Sequence, residues 1–148
     1  FGSFEYLTSY AGQLYFEAFD GTKDHLWVVD NNDNANYFTE LEFNSLQTGL
    51  KGFHIMDNAL YFFRTALFEG VTLFKYDGVD LIEIENFEFG NDISHVNDTE
   101  GILYYTIEEV SENLIWAYDS NTDTNKMLVS SNKSVFHPLD IIPSYYIV

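Results

Sequence analysis

The chain repeats itself with a period of about forty-five residues, and that period restricts its fold more than any other feature. The phrases Leu26 to Asp30 (LWVVD), Leu73 to Asp77 (LFKYD) and Ile115 to Asp119 (IWAYD) share one order: aliphatic, aromatic, any residue, Val or Tyr, Asp. They begin 47 and 42 residues apart. Each runs into turn formers, Asn31-Asn32-Asp33, Gly78 and Ser120-Asn121. A second phrase, Leu-Tyr at Leu14, Leu60 and Leu103, precedes each of these at spacings of 46 and 43. A third stands in front of that one, FEYLTSYAGQ, FHIMDNA and SHVNDTEGI, and its opening returns in FHPLDIIPSYYIV from Phe136 to Val148.

Within the middle copy, four short runs rich in Val, Ile, Tyr and Phe are separated by polar turns: GFHIM, ALYFFRTA, VTLFKYD and LIEIENFEF. Such runs read as four strands of one antiparallel meander. Apolar residues occupy both parities, Leu60 and Phe62 alternating with Tyr61 and Phe63. A sheet apolar on both faces has to be covered on both. Repeats of this length, each a four-stranded sheet between neighbours, predict an all-β, β-propeller-like chain. It has about three four-stranded antiparallel blades plus the opening strands of a fourth. The expected division of the single domain 1–148 is repeat 1 at about 4–50, repeat 2 at about 51–92, repeat 3 at about 93–134 and a partial repeat 4 at about 135–148. A stacked β-solenoid or a β-sandwich is the architectural alternative.

Propellers close with about four to eight blades. Three repeats and a beginning therefore point either to an arc of a longer chain or to copies that complete one another. The chain opens at Phe1 with no initiator Met, as expected of a mature product or a piece of something longer. The closing segment Ser144, Tyr145, Tyr146, Ile147 and Val148 is the candidate assembly element, a strand able to complete its own first blade or dock on the next subunit.

The first copy, GSFEYLTSYAGQLYFEAFDGTKDHLWVVD, resembles the bacterial secreted repeats often called ELWxxDGT repeats. Leu14-Tyr15-Phe16, Ala18, Asp20-Gly21-Thr22, Leu26-Trp27 and Asp30 match that pattern, His25 stands for its Glu, and Asn31-Asn32 stand for its second Gly-Thr. The other two copies keep the Leu-Tyr, aromatic and Asp positions and lose Asp-Gly-Thr. The resemblance implies a propeller-like protein that is extracellular or on the cell surface, with no reaction attached.

Charge and composition exclude several classes. The net charge is -18, with six basic residues, so phosphate backbones and anionic membrane surfaces are repelled and nucleic acid is not an expected partner. No cysteine occurs, which removes disulfides, thiolate nucleophiles and Cys-ligated zinc. The apolar runs are far too short to span a bilayer, so no membrane insertion is expected. No nucleophile elbow, phosphate loop or zinc-protease motif is present, and the chain reads as non-enzymatic.

Five sets of residues compete for function. The turns DNNDNAN and DSNTDTN place Asp30, Asn32 and Asn34, and Asp119, Asn121 and Asp123, at alternate positions, a spacing that can wrap Ca2+. An EF-hand would need Gly at its sixth place and Glu at its twelfth, where these turns have Ala35 and Leu41 or Thr124 and Ser130. Asp and Asn in such turns more often bond their own backbone. His54, His95 and His137 fall near equivalent positions of successive first strands, where a repeat-inherited structural role outweighs a transition-metal site. Asn97 and Asn132 begin Asn-x-Ser/Thr sequons and are the glycosylation candidates. Trp27, Phe74 and Trp116 recur with the period and read as blade core, whereas Tyr10, Tyr37, Tyr145 and Tyr146 do not recur and are the candidates for the surface. Of the opening motif, only Asp20 to His25 fails to recur.

These features predict a non-enzymatic extracellular structural module. It is a building block of a cell-surface layer, filament or adhesin, whose partners are copies of itself or neighbouring repeats of the same parent protein. No cofactor is expected apart from calcium in the turns. The alternative is a glycan- or protein-binding propeller fragment assisted by calcium.

Overall fold

The computed structural model describes residues 5–22, 24–38, 48–66, 68–88 and 91–132. Every regular element among these residues is a strand. The first repeat supplies β1 (Glu5–Tyr10), β2 (Gln13–Phe19), β3 (Asp24–Val29) and β4 (Ala35–Tyr37). The second supplies β5 (Thr48–Met56), β6 (Ala59–Ala66), β7 (Gly70–Tyr76) and β8 (Leu81–Phe87). The third supplies β9 (Asp92–Thr99), β10 (Ile102–Glu108), β11 (Glu112–Asp119) and β12 (Thr124–Asn132). Each set forms one four-stranded antiparallel sheet in simple meander order, and none closes on itself. The expected fourth copy, 135–148, lies outside the described residues.

The repeat governs the backbone as well as the side chains. The first hairpin of each sheet is a two-residue turn, Ala11-Gly12, Asp57-Asn58 and Glu100-Gly101, with positive φ at both positions. That geometry matches the twist of the flanking strands and favours Gly, Asn and Asp. Each first strand also carries a β-bulge that breaks its register with the second. The left-handed residue in it is Tyr6 (φ 55), Gly52 (φ 61) or His95 (φ 50). All three stand eight residues before the Leu of the Leu-Tyr phrase. The second and third sheets bulge again in the last strand, opposite the recurrent aromatic, between the pairs of Leu73 and Phe74 and of Ile115 and Trp116.

The chain divides into two compact units, Phe1–Gly90 and Asn91–Val148. In the first, two sheets share a core of Tyr10, Tyr15, Leu26, Phe38, Leu50, Leu60, Phe62, Phe74 and Tyr76. Phe38 meets Tyr76 edge to face, with centroids 4.9 Å apart at 85°. Alternation along the strands assigns the faces. The first sheet contributes the face of Tyr15 and Leu26. The second contributes the face of Leu60, Phe62 and Phe74, which by repeat position corresponds to the opposite face of the first sheet, that of Leu14, Phe16 and Trp27. The two sheets of this unit thus stack head to tail, unlike face on unlike face. Each large side chain removed from water here contributes on the order of 1.5–3 kcal/mol.

Two polar contacts lock this stack. The Tyr10 hydroxyl donates to the Asn58 carbonyl at 2.8 Å. The buried Glu17 carboxylate accepts the Leu50 N–H at 3.1 Å. In the second unit, Leu103, Tyr105, Ile107, Leu114 and Tyr118 are buried on one face and Thr106, Ile115 and Ala117 on the other. Two phenols are tied to the last strand and its turn, Tyr105 to Asn125 Oδ1 at 2.8 Å and Tyr118 to Asp123 Oδ1 at 2.7 Å.

Candidate functional site

The one part of the first repeat that does not recur builds a compact cluster. Phe19 and Asp24 close the β2–β3 hairpin, and Asp20 opens its loop. Asp20 Oδ1 accepts the Thr22 N–H at 2.7 Å and the Thr22 hydroxyl at 2.6 Å, an Asx turn that fixes the carboxylate over its own loop. The other oxygen, Oδ2, lies 3.0 Å from His25 Nε2 and accepts the Tyr37 hydroxyl at 3.3 Å. The Asp20 and His25 side chains keep 19% and 16% of their surface exposed.

Strand alternation supplies the rest. Phe16 pairs with Trp27, Ala18 with His25 and Trp27 with Tyr37, so all five project from one face. His25 and Tyr37 have ring centroids 4.5 Å apart, and Tyr37 and Trp27 are 4.3 Å apart. Phe16 lies parallel to Trp27 at 6.4 Å, within 7°. The indole Nε1–H donates to the Ala18 carbonyl at 3.1 Å. Partial burial, then the neighbouring Asp20 carboxylate, hold the Tyr37 phenol above the usual tyrosine range of about 10.0. Tyr37 is exposed, as expected from its sequence, with 45% of its surface accessible.

The proposed calcium turns fold as backbone caps. Asp30 Oδ1 accepts the N–H groups of Asn32 and Asn34 at 2.8 and 3.0 Å, and the Asn34 side-chain amide reaches both carboxylate oxygens at 3.3 Å. Asp119 Oδ1 accepts the Asn121 N–H at 2.9 Å and its side-chain amide at 3.3 Å, whereas Asp123, at φ 53, receives the Tyr118 hydroxyl. The middle repeat does the same with Asp77, whose Oδ1 accepts the N–H groups of Val79 and Asp80. The recurrent Asp of the repeat is therefore a turn cap in all three sheets. Its carboxyl is held below the ordinary range, by the amides of Asn34 and Asn32 at Asp30, of Asp80 and Val79 at Asp77, and chiefly of Asn121 at Asp119. Among the described residues, no three His, Cys, Asp or Glu converge as a metal-binding group.

The histidines are not equivalent after all. His95 is the bulge residue of β9, matching Gly52 and Tyr6, whereas His54 lies two places further along its strand, matching Thr8 and Asn97. His137 lies outside the described residues. Asn97 sits exposed on β9, where its Oδ1 accepts the Asp98 N–H at 3.0 Å, and Asn132 is the last residue of β12. Ser144, Tyr145, Tyr146, Ile147 and Val148 are outside the described residues. Phe74 is buried, as expected of a core position, whereas Trp27 and Trp116 are only half-buried. Tyr10, expected at the surface, is instead buried, because its ring fills the gap between two sheets.

Comparison of the chain with protein-family models, with curated proteins and with solved structures found no match.

Proposed function

We propose that this chain is a non-enzymatic extracellular structural module, a run of propeller-type blades. It serves as a building block of a cell-surface layer, filament or adhesin through repeat-on-repeat contacts and strand completion. The observation that carries this reading is the head-to-tail stack in the first unit, in which two successive repeats bury unlike faces and lock them with Tyr10 to Asn58 and Glu17 to Leu50. A contact between unlike faces adds units without self-limiting symmetry, the property a layer, stalk or ring requires. The three sheets share turns, bulges and caps, so the specified feature is a repeating frame. The excess of acidic residues keeps such a frame soluble outside the cell.

Light scattering and electron microscopy on the full chain, beside a chain lacking Ser144 to Val148, test the proposal. Oligomers, rings or fibres that disappear with the deletion are expected. A monodisperse 17.1 kDa monomer in both samples across salt and concentration overturns self-assembly.

A further inference from the structure

We propose that the ring cluster of Trp27, Tyr37 and His25 on the first sheet is a binding platform for a neutral saccharide. In this complex the apolar face of a pyranose lies on Tyr37 and Trp27, and its hydroxyls donate to Tyr37 Oη and Thr22 Oγ1.

Three observations lead there. The rings are contiguous and immobilised before any ligand arrives. Trp27 is tied to Ala18, and Tyr37 and His25 are both tied to Asp20, itself fixed by Thr22. Such a surface loses little rotamer entropy on binding.

The polar groups then select the ligand. An ionised carboxylate offers about four acceptor sites, and Asp20 already receives Thr22 N–H, Thr22 Oγ1–H, the Tyr37 hydroxyl and His25 Nε2. A cationic ligand could bond this carboxylate only by displacing one of those four contacts, and an anion would meet a chain of net charge -18. Since the Tyr37 and Thr22 hydroxyls spend their hydrogens on Asp20, their lone pairs face outward as acceptors. Ring faces flanked by acceptors fit a ligand with a patch of C–H groups bordered by hydroxyl donors. A pyranose has that arrangement.

The platform is also unique to its repeat. The positions of His25 and Tyr37 are Thr72 and Glu83 in the second sheet and Leu114 and Met127 in the third, so no comparable trio forms. The inference uses none of the residues at 144–148, so its failure and that of strand-completed assembly are separable.

The test titrates the full chain with neutral linear hexasaccharides of β-1,4-, β-1,3- and α-1,4-linked glucose, read by saturation-transfer NMR and tryptophan fluorescence. At least one is expected to bind, with saturation reaching the Tyr37 ring. Tyr37→Ala should weaken it by about tenfold or more, the loss of one stacked ring. Tyr37→Phe should weaken it less, and Val79→Ser, on the exposed β7–β8 turn at the other end of the strands from the Asp20 loop, should leave it unchanged. An unaltered melting transition in each variant confirms that the fold is intact. Absence of binding to all three sugars, equal binding by Tyr37→Ala, or binding only to uronate- or sulfate-bearing oligosaccharides overturns the proposal.

Discussion

The hydroxyl of Tyr10, at the end of β1, donates to the carbonyl of Asn58, 48 residues away in the first turn of the next sheet, at 2.8 Å. The bond ties the hairpin end of one repeat to the same hairpin end of its neighbour, while the ring packs between them against Tyr15 and Tyr76. Tyr10→Phe keeps the ring and removes the bond. It leaves the Asn58 carbonyl at a wetter margin, so a loss of about 1 kcal/mol is expected in urea denaturation. Burial, reinforced by the Asp77 carboxylate, holds the Tyr10 phenol above its usual value of 10.0. A raised folded value means that the stability linked to this group is complete below about pH 10 and is lost as pH climbs through the folded value. Stability measured by urea denaturation should therefore fall more steeply with pH above about 10 in the native chain than in Tyr10→Phe, so that the difference between them narrows.

Glu17 presents the opposite problem, a carboxylate placed where the other two repeats have Phe63 and Thr106. Its Oε1 is the acceptor for the Leu50 N–H, and Leu50 itself is 1% exposed. Glu17→Ala strands that donor in a dry environment and should cost about 1–3 kcal/mol by the same denaturation assay. Glu17→Gln retains a carbonyl oxygen of the same reach and should recover most of the loss. Equal destabilisation by both variants would assign the effect to charge or to packing rather than to the bond.

The second and third strands of the middle repeat were legible to within one residue, because their apolar runs are bounded by Asp57-Asn58, Gly70 and Gly78. By contrast, β5 begins four residues before GFHIM and β8 ends two residues before the end of LIEIENFEF. The turn caps were legible too, since Asp followed by Asn or Gly has a local physical meaning. The bulges were not. Tyr6, Gly52 and His95 share a backbone angle but no side-chain chemistry, so nothing in the residue types marks the position. Tyr10 and Glu17 were misplaced or missed for a related reason: each is buried by a partner 48 or 33 residues further along the chain. Alternation within one strand reports which face a residue is on, and it does not report which sheet covers that face. The Asp20 cluster was half legible, as its loop stood out by failing to recur while Tyr37 entered it across the sheet from β4.

Gly70 opens β7 with φ +84, and a Cβ there would lie 1.9 Å from the Phe87 carbonyl oxygen and 2.5 Å from that of Glu88. Both obstacles are backbone, which cannot swing aside as a side chain can. Gly70→Ala should cost more than about 3 kcal/mol or abolish folding, the range reserved for strain at a special backbone position. Gly21, at φ +109, has nothing within 4 Å of its would-be Cβ. Gly21→Ala then carries only the left-handed penalty, about 1–2 kcal/mol. Thermal melts should rank the two variants in that order, and the reverse order would mean that β7 and β8 do not close as described.

Asp30, Asp77 and Asp119 lead to a prediction about acid. Each caps its turn through backbone amides and has its carboxyl held below the ordinary 3.8. A depressed folded value means that the linked stability is present above about pH 4 and is lost as pH falls through the folded value, when the protonated acid becomes a poorer acceptor. The melting temperature should fall steeply below pH 4. Replacing all three residues by Asn preserves an oxygen at Oδ1 for the same N–H groups and removes the titration. The triple variant should therefore be modestly less stable at pH 7, where charge-assisted bonds become neutral ones, and should have a flatter melting profile between pH 4 and 2. A profile as steep as that of the native chain would move acid sensitivity away from the turn caps.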